Sequence, residues 1–250
     1  MNVATIKIWS EGLAREVEYT ALLPRESATP PHVLLQLHGM LDDHNSWMHK
    51  SSIDRYVDGY PFLVIMPSGE NGFYMNWGDW ANYEDYLVRD LYAHVTSTFR
   101  VKESPWAIGG LSMGGFGAMR LGLKYPQRFR SIWAHSGWYG SGIELHRRFP
   151  SVPFIRSMTG VTRGEVDVMP YAENVAQLPE AMRPRIGFDC GTEDDLLPMN
   201  RELHNLLTAM KIEHQYHEYE GAHSWPYWDT HVQTALAFHA QSFGVTRAGR

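Results

Sequence analysis

Trp106-Ala107-Ile108-Gly109-Gly110-Leu111-Ser112-Met113-Gly114-Gly115 runs from a short apolar segment into a Gly-x-Ser-x-Gly turn and on into the helically spaced Met113 to Lys124. A buried strand that meets a helix through such a turn carries its serine at the apex, with the hydroxyl lifted above the sheet edge. Gly110 and Gly114 flank a bend too tight for larger side chains. The helix beyond it aims unpaired N–H groups and a partial positive charge at any oxyanion formed at Ser112. An ordinary glycine-rich turn is the competing account, and the agreement of spacing with context argues against it.

Outward from this turn, short apolar runs recur between Gly, Pro and Asp: Val33 to Leu37, Phe62 to Met66, Ser131 to Ala134 and Arg185 to Phe188. Continuous apolar runs of this length read as parallel strands buried on both faces. Between them lie helical spacings: Tyr83 to Phe99, with Tyr83, Tyr86, Leu87, Leu91 and Val95 on one face, then Met113 to Lys124 and Asn200 to Met210. Strand and helix alternate, which predicts βαβ units. Glu16-Val17-Glu18-Tyr19 alternates instead and reads as a half-exposed antiparallel strand. The expected architecture is α/β: one domain over 1–250, with antiparallel N-terminal strands, a parallel remainder and helices on both faces.

Composition narrows the partners. The 250 residues hold 22 Lys+Arg against 28 Asp+Glu, a formal charge of -6, and no stretch concentrates the cations as a nucleic-acid groove would. Nowhere do 18 apolar residues run together, and the first residues lack a basic segment followed by an apolar one, so neither membrane nor export is expected. A single cysteine, Cys190, suits a reducing cytoplasm.

A serine hydroxyl is a poor nucleophile at neutral pH and needs a base and an orienting acid, in the chain order serine, acid, histidine. The acid is expected in Cys190-Gly191-Thr192-Glu193-Asp194-Asp195, after a strand; Asp194 is preferred, with Glu193 and Asp195 as rivals on the same loop. Of 13 histidines, His223 alone lies on a Gly-flanked loop after the last strand, His214 to Tyr219, and before a closing helix. It is the expected base. The oxyanion hole is expected from the backbone N–H of Met113 and from the loop His38-Gly39-Met40-Leu41, with Met40 favoured over Leu41.

Together with His44-Asn45-Ser46-Trp47, Val64 to Pro67, Asn71 to Tyr74 and Gly221-Ala222-His223-Ser224-Trp225, these motifs resemble the esterase D and antigen 85 branch of the α/β-hydrolases. Tributyrin-esterase-like members are the nearest likeness, over roughly residues 30 to 240. The resemblance implies a serine carboxylesterase that hydrolyses small-molecule, short-chain acyl esters through an acyl-enzyme, without metal or organic cofactor. It maps the triad onto Ser112, Asp194 and His223. Leu41-Asp42-Asp43 departs from the small, Gly-rich residues usual there and predicts a bulkier, acidic mouth. Thioesters, feruloyl or acetyl-sugar esters and siderophore-type esters are alternatives for the same machinery, and a catalytically silent binding protein is the alternative of another class.

Other features read more plainly. His38, Asp42, Asp43, His44 and His49 are metal-ligand types in one loop but match no recognised spacing; His38 is expected beneath the oxyanion loop and Asp42, Asp43 and His49 in solvent. Among the loop aromatics, Trp47 and Trp138 are expected, with Leu41, to line the substrate pocket. Phe73, Tyr74, Trp77, Trp80, Trp225, Tyr227 and Trp228 are read as packing. Residues 141–169, broken by Gly and Pro, form a possible lid-like excursion.

Overall fold

The structure, a computed structural model, describes residues 1–25, 29–78, 81–140, 144, 146, 147 and 167–248. Strands β1 (Asn2–Ser10) and β2 (Arg15–Leu23) form a hairpin. Then come β3 (His32–Leu37), the short helices α1 (Ser46–Lys50) and α2 (Ile53–Val57), and β4 (Phe62–Pro67). A composite helix α3 follows, in three pieces: Tyr83–Asp85, a π-helical Tyr86–Leu91, and Tyr92–Thr98. The rest is β5 (Trp106–Leu111), α4 (Met113–Lys124), β6 (Phe129–His135), α5 (Met169–Gln177), β7 (Arg185–Gly191), α6 (Leu197–Ala209), β8 (His214–Tyr219) and α7 (Trp225–Ser242).

Among the described residues the strands form one eight-stranded sheet ordered β1-β2-β4-β3-β5-β6-β7-β8. β1 and β2 pair antiparallel, as do β2 and β4, and every later pairing is parallel. This is the expected α/β architecture. The unbroken apolar runs are explained by what covers them. Val33, Leu35 and Leu37 of β3 and Leu63 and Ile65 of β4 join the core shared with α3, α4 and α6. Leu34, Phe62, Val64 and Met66, pointing the other way, join Trp47, Ile53, Val57 and the α7 residues Val232 and Leu236. Alternate side chains thus enter opposite layers, so neither face of the strand can be polar.

The helix expected over Tyr83 to Phe99 keeps its buried face, but its middle widens into π turns. Such turns rotate the side chains that follow around the axis, and Val88 joins the buried set. The expected lid-like excursion at 141–169 lies largely outside the described residues; Met169 at its end opens α5. Among the described residues no helix is long and apolar enough to cross a membrane.

Candidate active site

The carboxyl ends of β3, β5 and β7 and the loop after β8 converge on one cavity of about 330 Å³. At its floor Ser112 sits between β5 and α4 with φ 54° and ψ -115°, a left-handed conformation costly for a non-glycine residue. Its N–H donates to His135 O at 2.8 Å, tying the elbow to β6. A Cβ on Gly114 would stand 2.5 Å from Leu37 O and 2.6 Å from His38 O, so only glycine allows α4 to approach the oxyanion loop this closely.

Ser112 Oγ–H donates to His223 Nε2 at 2.9 Å, and His223 Nδ1–H donates to Asp194 Oδ2 at 2.8 Å. Asp194 Oδ1 also accepts the N–H of Leu196 at 2.8 Å. Of the three acids on this loop, Asp194 is buried and turned to the imidazole, whereas Glu193 and Asp195 are exposed. Burial works to raise the Asp194 carboxyl. The hydrogen bond and charge of His223, the Leu196 N–H and the Ser136 hydroxyl outweigh it and hold the group below the ordinary carboxylate range.

Met40 and Met113 both line the cavity beside Ser112. The N–H of Leu41, the rival donor, is taken by Asn71 Oδ1 at 2.8 Å. The oxyanion loop is braced from below by His38, whose Nδ1–H donates to Gly39 O at 2.7 Å while Nε2 accepts the Gly69 N–H at 2.8 Å. This bonding requires a neutral ring, and burial lowers the His38 pKa in that direction. Tyr74 OH donates to His38 O at 2.8 Å from the same side.

The wall differs from expectation. Trp138 lines the cavity, and Leu41 stands at its rim, 66% exposed and at φ 67°. Trp47 does not line it. Placed on the inner side of α1, Trp47 is 1% exposed and donates its Nε1–H to Leu37 O at 2.9 Å. Its ring buttresses Trp225, which with Phe73, Leu196 and Trp228 forms the wall that sequence reasoning missed. Trp225 and Trp228 lie three residues apart at the start of the helix after His223, and that spacing was the available signal. Phe73 had none. Asp42 is not solvated either: its side chain is 8% exposed and ion-paired with Lys50, so the mouth is less acidic than Leu41-Asp42-Asp43 suggested. Asp43 and His49 are exposed as expected; Trp80 lies outside the described residues.

A mostly parallel sheet carrying a serine elbow between strand and helix, with an imidazole and a carboxylate brought to it on later loops, defines a serine hydrolase of the α/β-hydrolase fold. The family described as putative esterase matches residues 10–239. The chain belongs to that family, is of the esterase D and antigen 85 type, and acts as a carboxylesterase. It is 28% identical over 263 residues to the acetyl esterase of Caldicellulosiruptor saccharolyticus, an alignment spanning 94% of this chain and 97% of that protein. A diacylglycerol acyltransferase/mycolyltransferase of Mycobacterium avium is 26% identical, over 80% of this chain and 67% of its own. Among solved structures, the S-formylglutathione hydrolase of Staphylococcus aureus superposes with a TM-score of 0.83 at 23% identity, covering 96% of this chain and 99% of that one. This last likeness bears on the fold.

Proposed function

We propose that the chain hydrolyses short-chain acyl esters, with Ser112 as nucleophile, His223 as general base and then acid, and Asp194 as the orienting carboxylate. His223 takes the Ser112 proton as Oγ attacks the ester carbonyl. The N–H groups of Met40 and Met113 receive the oxyanion, and the imidazolium passes its proton to the leaving alcohol. Water then attacks the acyl-enzyme with His223 again as base, releasing the acid and freeing Ser112. The observation that carries this reading is the hydrogen-bonded row itself, 2.9 Å from hydroxyl to imidazole and 2.8 Å from imidazole to carboxylate. A short acyl chain is favoured by a cavity of about 330 Å³ walled by Trp138, Phe73 and Leu196, with Leu41 over its rim.

Two measurements test it. A fluorophosphonate labels the intact protein stoichiometrically and leaves Ser112→Ala unlabelled; labelling of Ser112→Ala overturns the assignment. On p-nitrophenyl esters of increasing length, kcat/KM peaks at acetyl to butyryl; faster turnover of long-chain esters overturns the acyl preference. The acetyl esterase relative supports the short end of that range.

A further inference from the structure

β1 is an edge of the sheet: it pairs with β2 on one side and, among the described residues, with no strand on the other. An open strand edge offers its row of N–H and C=O groups to any other extended chain. This one, Asn2-Val3-Ala4-Thr5-Ile6-Lys7-Ile8-Trp9-Ser10, holds no proline and no glycine and runs about 30 Å end to end. Two of the four large apolar residues exposed among the described residues stand on it, Val3 at 55% and Trp9 at 57%.

The polar and apolar residues of β1 follow the same order in both directions from Ile6: polar at 2, 5, 7 and 10, apolar at 3, 4, 6, 8 and 9. Antiparallel strands pair residue by residue in reverse order, so a two-fold axis at Ile6 matches every position with its own kind. Val3 then faces Trp9 of a second copy, Ala4 faces Ile8, Ile6 faces Ile6, and Asn2 and Thr5 face Ser10 and Lys7. Side chains alternate between the two faces of a strand. On the outer face the exposed Val3 and Trp9 cover each other. On the inner face Ile8 belongs to the core and Ile6 packs against it, so that side continues the core from one copy into the next. Neighbouring registers lose the match: centred on Lys7, two ammonium groups stand directly opposite; centred on Thr5, Val3 meets Lys7 and Asn2 meets Ile8. Lys7 does not guard the edge, because its Nζ lies 3.6 Å from Glu18 Oε1 and 3.8 Å from Glu16 Oε2 on β2, away from the open side.

We propose that β1 is a self-pairing surface, along which two copies of this chain join antiparallel about a two-fold axis at Ile6 into one continuous sheet. Such an interface is isologous and closes at two copies. It adds about eight to ten backbone hydrogen bonds. The axis stands perpendicular to the sheet and reverses strand direction, so the two cavities open at opposite edges and neither mouth is covered. The inference stands apart from the catalytic reading.

Sedimentation velocity of the whole chain across micromolar concentrations tests it, and we expect a species of twice the mass of one chain. Val3→Lys/Trp9→Lys sets like charges directly opposite on both sides of the axis and sediments as a single chain. Val3→Lys/Trp9→Glu sets unlike charges opposite, and the dimer returns. Both positions are more than half exposed, so the fold survives, as circular dichroism checks, and neither touches the cavity, so turnover of p-nitrophenyl butyrate per chain is unchanged. A short bismaleimide joins two copies of Val3→Cys/Trp9→Cys but not of Val3→Cys alone, whose thiols lie about 20 Å apart along the ladder; the native Cys190 is buried. A wild-type protein that sediments as one chain at every concentration overturns the proposal. So does a Val3→Lys/Trp9→Lys protein that still dimerises, which places the interface elsewhere, or a Val3→Lys/Trp9→Glu protein that does not.

Discussion

Gly191 ends β7 where the acid-bearing loop begins, and the backbone of the base-bearing loop lies against it. A Cβ at this position would stand 2.1 Å from Gly221 O and 2.8 Å from Gly221 C, whereas ordinary contact begins near 3.4 Å. Gly191→Ala must therefore open the two loops by about 1.3 Å, and the obstacle is backbone, which cannot rotate away. The same loops are laced by Thr192 N–H to Tyr219 O at 2.8 Å and Glu193 N–H to Gly221 O at 2.9 Å, so the shift carries to His223, two residues past Gly221. A displacement of about 1 Å in a reacting group costs on the order of 100-fold in rate. The expected result is a fall of about that size in kcat on p-nitrophenyl butyrate, with KM changed as well because Leu196 and Trp225, next to the same two loops, line the cavity. Overpacking also lowers stability by about 1–3 kcal/mol, so urea unfolding must accompany the kinetics. A folded Gly191→Ala protein with kcat within about twofold of wild type would refute the claim that this contact sets the spacing of acid and base.

The two neighbouring acids separate cleanly: Asp194→Asn lowers kcat by about 10⁴-fold, as expected when the carboxylate that orients a histidine is neutralised, whereas exposed Asp195→Asn stays near wild type; comparable losses in both would reject the assignment. Trp138 lines the cavity as expected whereas Trp47 is buried behind it, so Trp47→Ala lowers stability by about 3–5 kcal/mol in urea melts, while Trp138→Ala chiefly shifts the acyl-length preference toward longer esters. Burial holds the fully enclosed His239 at a pKa of about 3. Because the unfolded chain takes up a proton there below the ordinary histidine range and the folded chain does not, stability is complete above about pH 6.5 and declines as pH falls toward 3. The slope is about 1.4 kcal/mol per pH unit. His239→Gln removes that slope between pH 6 and 4.5, and urea midpoints with the same pH dependence as wild type would exclude His239 as its source.

Much of this molecule is legible along the chain because the signals are local. A strand buried on both faces has to be apolar at every position, so Val33 to Leu37 and Phe62 to Met66 announce the sheet. A serine on a left-handed elbow needs small neighbours, and Gly110 and Gly114 announce the turn. Asp194 and His223 follow from their places after β7 and β8, since loops at the carboxyl edge of a parallel sheet all open on one side. What the chain could not express is which side chain on a given loop turns inward. Asp194 is separated from Glu193 and Asp195 only by the path of a few backbone atoms, and Trp47 from Trp225 only by which face of a short helix meets β3. The pairing of Asp42 with Lys50, and the hydrogen bond from Trp228 to Ser136, join residues up to 92 positions apart. Periodicity reports an element's own faces and nothing about its distant neighbours, so those contacts exist only once the sheet has brought the elements together.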